Sequence, residues 1–585
     1  MKDPIINKKL PLFIPHSSTS TAVNKTGSWR FFHPKYEEKT APCTAACPVG
    51  QDIPRIEMLA SRGQFKDAWR IILDENPFPA VCGRVCFHPC EGACNRAHLD
   101  DAIAIHSLER FLGDTAIHGD LKPEVDIKQS TGKKIAIAGA GPAGLSAAYF
   151  LARLGYGCDV FEAASEPGGL LRWGIPAYRL PREILENEIR RIENTGVQIY
   201  CRTSVTGRLL EKLKKDYDAL FIGCGYGHSF MLNIEGEQFA SDGLEFLNRL
   251  SVGEKISYIG TSAVIGGGNT ALDVARALAR LGAAPLIAYR RRIQDMPAFA
   301  PEVAMAIEEG VRIMELVSPI RIRETSGGSS SSPPGYELTL HKMKVDRIDS
   351  SGRALVTPDI PHTDTITVQN IFVAIGAAAE KQWRFPDSEE AESWRLSHCC
   401  FFKPQKPVIY GGDLASPVKS VSDAIASGKQ AALALDVFFE HGMNAVQKGL
   451  ARCRVGEGPA LSMNAFLEMD RQDRSHHIVD FNEIVTDYFS PAVRCAPAAL
   501  AAESRVRSFS EIESAFDNTA AREEAARCFN CGICVACDYC RLYCPEMAVD
   551  VNKAQRKINM DFCKGCGVCV TECPRNAMAL EEEIK

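Results

Sequence analysis

Eight cysteines near the carboxyl end fall into two copies of one spacing, and nothing else in the sequence limits the chain so tightly. From Cys534 the order is Cys-x2-Cys537-x2-Cys540-x3-Cys544-Pro, and from Cys563 it is Cys-x2-Cys566-x2-Cys569-x3-Cys573-Pro. Short x2 steps wrap a loop around one cubane, and the x3-Cys-Pro step sends a thiolate to the other, so the fourth cysteine of each run ligates the cluster of its neighbour. The spacing assigns Cys534, Cys537, Cys540 and Cys573 to one [4Fe-4S] centre and Cys563, Cys566, Cys569 and Cys544 to a second. Zinc takes four ligands in two pairs, which duplicated three-plus-one runs do not supply. Cys528 and Cys531 extend the ladder upstream and exceed what two cubanes need; alternate ligation, a third site and structural thiols are all open for them.

The distribution of the other thiols agrees with a metal or redox use. Of 23 cysteines in 585 residues, six lie from Cys43 to Cys94, ten from Cys528 to Cys573 and seven in the long stretch between. The amino terminus has no apolar stretch followed by a small-residue cleavage pattern, and no run of about twenty apolar residues could span a membrane. The expected address is the cytoplasm, where thiols stay reduced and a disulfide framework is not formed. A net charge of -6, with no Lys/Arg runs interleaved with aromatics, gives no footprint for nucleic acid.

The amino-terminal thiols read Cys43-x3-Cys47-Pro and then, after a helical stretch from Ile53 to Glu75, Cys82-x3-Cys86-x3-Cys90-x3-Cys94. A spacing of four places thiols on one side of a helical turn. One or two further iron–sulfur clusters are expected here, with a zinc-stapled helical domain as the alternative.

Two nucleotide-binding units follow. Lys134-Ile-Ala-Ile-Ala-Gly139-Ala140-Gly141-Pro142-Ala143-Gly144 is a strand, a GxGxxG turn and the start of a helix, and a second strand from Gly157 to Phe161 delivers Glu162, 18 positions after Gly144. In such a unit the glycines let a helix N-terminus approach a pyrophosphate, and the carboxylate takes ribose hydroxyls. The second unit begins at Ser262 with Gly266-Gly267-Gly268-Asn269-Thr270-Ala271, and its strand from Pro285 to Tyr289 ends on Arg290-Arg291-Arg292. Arginine suits a 2′-phosphate, whereas a carboxylate would repel it. NADP(H) is favoured over NAD(H), with Arg290 and Arg291 as its readers. The similar segments Asp218 to Gly225 and Asn370 to Gly376 flank this unit as if one sheet were interrupted and resumed. Val408-Ile-Tyr-Gly-Gly412-Asp413, before a helix at Ser422, then completes a flavin site. The first unit is expected to hold FAD, split around an inserted pyridine-nucleotide domain.

With these residues assembled, the chain resembles the glutamate synthase small-subunit family of flavoproteins over about residues 35 to 440. The marks are Cys43-x3-Cys47-Pro, Val81-Cys-Gly-Arg-Val-Cys86, Cys90-Glu-Gly-Ala-Cys94, the stretch from Pro167 to Pro181 that contains Gly169, Leu170 and Arg172, Gly266 to Asp273, and Tyr289-Arg290-Arg291 followed by Met296-Pro-Ala298. The resemblance counts Gly169, Leu170 and Arg172 with the FAD site. It implies that Cys47, Cys86 and Cys90 bind one cluster, with Glu109 at the place of a non-cysteine fourth ligand. The family's other amino-terminal cluster uses an upstream Cys-x2-Cys pair that is missing here; Cys43 and Cys94 match the remaining ligands, and Cys82 is a substitute. The added carboxyl-terminal module is similar to that of a subset acting as electron-transfer subunits for larger redox enzymes, dissimilatory sulfite reductase and 2-oxoacid:ferredoxin or benzoyl-CoA redox systems among them. No glutaminase or glutamate-forming domain is present.

The expected fold is a multidomain α/β chain: a helical iron–sulfur domain (1–125), an FAD domain in two pieces (126–250 and 376–445), an NAD(P)H domain (251–375), a linker (446–520) and a bacterial-ferredoxin-like α+β domain (521–585). Ser326 to Gly335 reads as a surface loop. A nicotinamide exchanges a hydride and a cubane one electron at a time, so a flavin must stand between them. The expected function is electron transfer between NAD(P)H and a partner redox enzyme or ferredoxin, with a homodimer as a further expectation. The competing reading from another class is a non-enzymatic wiring subunit. Purified under argon, the chain is expected to hold about eight or more atoms each of iron and acid-labile sulfide per flavin; a colourless or zinc-loaded preparation contradicts the reading.

Overall fold

The computed structural model describes residues 23, 25–122, 125–325, 335–350, 352–383, 393–402, 406–469, 471–552 and 555–583. Most of the expected surface loop at 326–335 lies outside them. The chain divides into two compact units.

The smaller unit comprises the described residues before 40, residues 479–490 and those from 530 onward. Strand Phe32–Tyr36 pairs antiparallel with Met578–Glu582, Phe32 opposite Glu582 and Tyr36 opposite Met578. A second antiparallel pair joins Val549–Asn552 to Gln555–Ile558. Two short helices, Tyr539–Leu542 and Val568–Thr571, each carry one thiol of the repeated runs, Cys540 and Cys569. Outside the range 521–585, residues 479–490 contribute Tyr488 and Phe489, over whose rings the Arg575 guanidinium lies at 5.2 and 5.1 Å. The edge strand 32–36 was not expected. It has proline at its centre, which removes an N–H and is tolerated on an edge strand, so its five residues give little strand signal.

In the larger unit, a seven-stranded sheet has the order 393–395, 400–402, 408–410, 219–222, 134–138, 157–161, 198–200. The last five strands run parallel and the first two antiparallel. A five-stranded parallel sheet, ordered 312–315, 284–289, 261–265, 370–373, 241–242, is built wholly from the chain between two pieces of the first. One nucleotide fold is thus inserted in the other. The insertion also carries a three-stranded antiparallel sheet, 317–324, 336–348 and 354–368, that the sequence did not reveal.

The helical stretch expected from Ile53 to Glu75 is two helices, Ile53–Ser61 and Phe65–Glu75. Gly63 breaks it with φ +73°, a left-handed conformation that glycine adopts freely. The thiols spaced by four do not ride one helix either. Helix Pro79–Val85 ends on Cys86, His88 takes φ 55°, and Pro89 starts the short helix Pro89–Gly92. Proline opens a helix well but cannot continue one.

Helix Pro79–Val85 crosses helix Ile105–His118 where both have glycine. A Cβ on Gly83 would lie 2.4 Å from the Arg110 nitrogen, and one on Gly113 would lie 2.6 Å from the Ala80 nitrogen. Because the first helix holds Cys82 and ends on Cys86 while the second holds Glu109, this crossing sets their relative positions. Gly83→Ala should destabilise the unit by roughly 1–3 kcal/mol through overpacking, read as a lower thermal midpoint and less iron per flavin. A variant with the parent's midpoint and iron content would refute that role for the crossing.

Candidate redox centres and nucleotide sites

In the smaller unit, one cavity is lined by Cys534, Cys537, Cys540 and Cys573, with Tyr36 and Arg556 beside them. A second is lined by Cys544, Cys563, Cys566 and Cys569, with Pro34 and Lys564. Each cavity thus gathers three thiols of one run and the fourth of the other. Both crossing thiols accept a backbone N–H, Cys544 from Ala548 at 3.2 Å and Cys573 from Ala577 at 3.3 Å. The Tyr36 hydroxyl lies 3.4 Å from the Cys540 sulfur, so the unexpected edge strand touches the first cavity. Burial raises the thiol pKa of Cys534, Cys540 and Cys563 and pushes Cys569 up to about 12. Such thiols ionise only beside a strong cation, and four of them around one cavity fit an iron–sulfur cubane.

In the helical part of the larger unit, Cys47 ends the short helix Pro42–Ala46 and accepts backbone N–H groups from Gln51, Val49 and Gly50. The His88 N–H points to the Cys86 sulfur at 3.5 Å. The thiol of Cys90 has Cys47, Cys86 and Cys43 as electrostatic neighbours. Glu109 is buried; its Oε1 accepts from Gln51 Nε2 at 2.7 Å and Asn76 Nδ2 at 2.8 Å. Burial pushes its pKa to about 8 against those two hydrogen bonds, with the Glu188 carboxylate adding. Glu109 is the carboxylate neighbour of Cys47 and Cys86, so the expected set Cys47, Cys86, Cys90 and Glu109 is brought together. Cys82 joins this group: its sulfur lies 3.9 Å from Asn76 Oδ1, and Glu109 and Cys86 are its charged neighbours. Cys94 is also buried and accepts the N–H groups of Ile103 and Arg96. Gln51 and Asn76 were missed, since an amide that orients a ligand carries no motif.

In the first nucleotide fold, the turn from Gly139 runs into helix Pro142–Arg153. A Cβ on Gly144 would lie 1.9 Å from the Gly139 carbonyl oxygen, so only glycine lets helix and turn pack this closely. Glu162 accepts the Ala140 N–H through Oε2 and the Ala164 N–H through Oε1, both at 2.8 Å. That holds its carboxylate beside the turn. Gly169 packs on Gly141, where its Cβ would approach to 2.8 Å, and Leu170 follows it, 44% exposed. Arg172 is buried and bonded to Glu166, to Glu186 and to the Pro167 carbonyl, which fits a role in shaping the loop. After strand Val408–Tyr410, the Gly412 N–H donates to Ser427 Oγ at 2.8 Å, and burial raises the carboxyl pKa of Asp413. Ser422, in the first turn of helix Val421–His441, faces the Cys86 thiol and lowers its pKa against the larger effect of burial. The flavin half of the site and the thiol group are therefore in direct contact.

In the second fold, the turn Gly266–Gly268 leads into helix Asn269–Arg280. A Cβ on Gly267 would meet the Tyr289 ring at 2.4 Å, while the space beside Gly268 is open. The Asn269 side chain accepts the Phe299 N–H, and Thr270 is exposed. The three arginines have different commitments. Arg292 forks onto Asp295 at 2.7 and 2.9 Å, Arg291 Nε donates to the Ala354 carbonyl, and Arg290 is exposed at the strand end.

Family models match in three places: dihydropyrimidine dehydrogenase domain II, 4Fe-4S cluster, over residues 36–121; pyridine nucleotide-disulphide oxidoreductase over 133–392; and 4Fe-4S binding domain over 556–579. The NADP(+)-dependent formate dehydrogenase subunit beta of Moorella thermoacetica is 34% identical over 526 residues, 84% of this chain and 70% of that one. The NADPH-Fe(3+) oxidoreductase subunit beta of Geobacter sulfurreducens is 37% identical over 366 residues, 61% of this chain and 53% of its own length. The glutamate synthase [NADPH] small chain of Escherichia coli is 33% identical over 417 residues, 67% of this chain and 87% of that one. The family models cover the thiols from Cys43 to Cys94, most of both nucleotide folds and the run from Cys563 to Cys573. The chain belongs to the glutamate synthase small-chain-like family of iron–sulfur flavoprotein NAD(P)H oxidoreductases.

Proposed function

We propose that this chain passes electrons between NADPH and a larger partner redox enzyme, with FAD bound at Gly139 to Gly144 and [4Fe-4S] clusters on both sides of the chain's nucleotide folds. The observation that carries the reading is the placement of Ser422, on the flavin-fold helix, beside the Cys86 thiol. Bound flavin supplies the exchange between a two-electron hydride donor and one-electron acceptors. The residues do the rest. Gly141 and the start of helix Pro142–Arg153 receive the pyrophosphate, Glu162 the ribose, and Gly412 and Asp413 the remaining flavin chain. Gly266 to Thr270 receive the nicotinamide dinucleotide, with Arg290 on its 2′-phosphate and Arg291 held beside it by the Ala354 carbonyl. Cys47, Cys86 and Cys90, with Glu109 as the fourth ligand, would hold one cluster in the larger unit. The two clusters of the ferredoxin-like unit are the exit, since Cys534 and Cys566 are exposed at its surface.

The relatives' names supply the kind of partner: the formate dehydrogenase and glutamate synthase proteins are subunits of larger redox enzymes. By the same logic the partner here is a multi-subunit oxidoreductase. Dissimilatory sulfite reductase, 2-oxoacid:ferredoxin and benzoyl-CoA systems are the candidates that the sequence brings, and a homodimer is not needed for the path. A wiring subunit without nucleotide turnover would not need the open space beside Gly268 or the exposed Arg290.

Anaerobic stopped-flow should show NADPH bleaching the flavin faster than NADH. Arg290→Ala should raise the NADPH concentration needed by about tenfold, or roughly 1.4 kcal/mol, with NADH unaffected; equal losses for both nucleotides would remove the 2′-phosphate role. Cys569→Ala should leave flavin bleaching within about twofold and abolish reduction of a one-electron protein acceptor. Full acceptor reduction by that variant would exclude the ferredoxin-like unit as the exit.

A further inference from the structure

We infer that the Arg179–Asp273 ion pair fixes how closely the two nucleotide folds approach each other, which makes Arg179 a positioning residue for hydride transfer between nicotinamide and flavin. The inference rests on the proposed passage of electrons between NADPH and FAD and deepens it.

A hydride moves between atoms held about 3–3.5 Å apart, and a misplacement of about 1 Å can cost a hundredfold in rate. It carries two electrons: NADPH is oxidised to NADP+ and FAD is reduced. One of the two rings is held by the first nucleotide fold and the other by the inserted one, so the rate depends on what joins the folds. The chain passes between their sheets twice, after strand 219–222 and after strand 370–373. The two passages meet in a ribbon of two residues each, His228 opposite Ala378 and Ser229 opposite Ala377. An isolated pair of strands is marginally stable, so a ribbon this short leaves the angle between the folds to other contacts.

The segment from Gly168 to Arg182 supplies them. At its start the Gly168 N–H donates to the Ala140 carbonyl at 2.8 Å, inside the turn that opens the FAD site, and Gly169 packs on Gly141. Near its end the Pro176 carbonyl accepts the N–H groups of Arg179 and Leu180 at 3.0 and 3.1 Å. This tight turn carries Arg179 to helix Asn269–Arg280, the helix that begins on the turn Gly266–Gly268. Arg179 Nη1 donates to both Asp273 oxygens, at 3.1 and 2.9 Å, and its Nε lies 3.2 Å from Glu302 Oε1. The Arg179 and Asp273 side chains are 7% and 5% exposed, and removing one partner of so enclosed a pair leaves the other charge uncompensated. Tyr178 wedges in beside them: its hydroxyl donates to the Asp273 carbonyl at 3.4 Å, and the Arg280 guanidinium lies over its ring at 3.9 Å. Arg276 and Arg280 are themselves held by the buried Glu309, each at 2.7 Å. Arg182 adds a bond from Nη2 to Ser251 Oγ, at 2.7 Å, on the inserted fold's helix Gly243–Ser251. One short segment therefore reaches from the flavin turn to the helix of the nicotinamide site and is bonded at both ends.

The test uses the full-length chain, purified anaerobically with its flavin. Arg179→Ala should lower the limiting rate of flavin bleaching at saturating NADPH by about tenfold to a hundredfold, with the half-saturating concentration within about twofold of the parent's. Re-oxidation of chemically reduced flavin by a one-electron protein acceptor should keep the parent's rate, which a general loss of structure would not allow. A readout free of turnover accompanies these: hydrogen exchange should quicken in 168–182 and 269–280, while strand 134–138 keeps the parent's protection. Arg179→Lys, which retains the charge, should recover the limiting rate to within about fivefold of the parent's. Asp273→Asn covers the case in which the alanine variant fails to bind flavin; it keeps the shape, removes the charge and should show the same split between limiting rate and half-saturation. A folded variant with the parent's limiting rate, a loss confined to half-saturation, or unchanged exchange in both segments would overturn the proposal. A wild-type flavin that neither NADPH nor NADH bleaches would instead mark failure of the NADPH-to-FAD reading itself.

Discussion

A carboxylate sealed from water holds the larger unit together. Glu75 is 1% exposed, and an ion there is tolerated only if its oxygens are filled by donors. The donors come from three distant parts of the chain. Lys429 Nζ donates to Oε2 at 2.7 Å, the Met463 N–H to the same oxygen at 2.8 Å, and Arg471 Nη1 to Oε1 at 3.2 Å. Lys429 belongs to the helix Val421–His441 that begins on the flavin side with Ser422, and its ammonium also binds the Val49 carbonyl, while Arg471 binds the carbonyl of Gly50. Val49 and Gly50 are the residues whose N–H groups turn onto the Cys47 thiol. One buried charge therefore ties the loop around Cys47 to the helix that carries Ser422. Burial lowers the pKa of Lys429 while Glu75 raises it; neither partner is stable there without the other.

This arrangement explains why the segment 446–520 reads from sequence as a linker without chemistry. Its work is done by ion pairs to residues some 400 positions away. Arg474 forks onto the buried Asp52 at 2.9 and 2.8 Å, Arg494 reaches Glu91 beside Cys90 at 2.6 Å, and Glu511 accepts from Arg84 at 2.7 Å. None of these pairings leaves a period or a spacing. The repeated cysteine runs and the two glycine-rich turns are legible because their ligands impose local rules: a cubane needs x2 steps, and a pyrophosphate needs a backbone without Cβ atoms. The segments expected to mark one sheet interrupted and resumed do not share a sheet: 218–225 holds a strand of the seven-stranded sheet, whereas 370–376 holds a strand of the inserted five-stranded sheet, and the two look alike in sequence because both end on glycine beside a nucleotide turn. The antiparallel sheet at 317–368 and the edge strand 32–36 obey no ligand, and so were not seen.

The arginine run shows the same limit on a smaller scale. Three consecutive cations after a strand point to a phosphate, but the sequence cannot say which of them are already committed. Arg292 is held by Asp295, a carboxylate that also accepts the Ala354 N–H. Arg291 spends its Nε on the Ala354 carbonyl. The strand end is thus braced on the added antiparallel sheet by two of its three arginines, which leaves Arg290 exposed. A strand that only the structure reveals therefore decides how a motif plain in the sequence is used.

The thiols carry the last step of the physical argument. Every candidate cluster ligand whose pKa shifts is raised, and burial is the leading cause for Cys47, Cys82, Cys86, Cys90 and Cys94 as for Cys534, Cys540, Cys563 and Cys569. A fold that buries thiols this deeply works against their ionisation unless a cation of high charge is expected there, because each thiolate would otherwise sit unpaired in a medium of low dielectric. Backbone N–H groups aimed at Cys47, Cys86, Cys94, Cys544 and Cys573 lower that cost without supplying a full charge. Iron supplies it. The same low dielectric then makes each neighbouring charge matter to a cluster's reduction potential: Arg556, anchored to Asp538, lies beside Cys534 and Cys540, while Lys564, anchored to Glu546, lies beside Cys544 and Cys566. Each cluster cavity of the ferredoxin-like unit thus faces a cation that is already half-neutralised, a field suited to small adjustments of potential between two otherwise equivalent sets of four thiols.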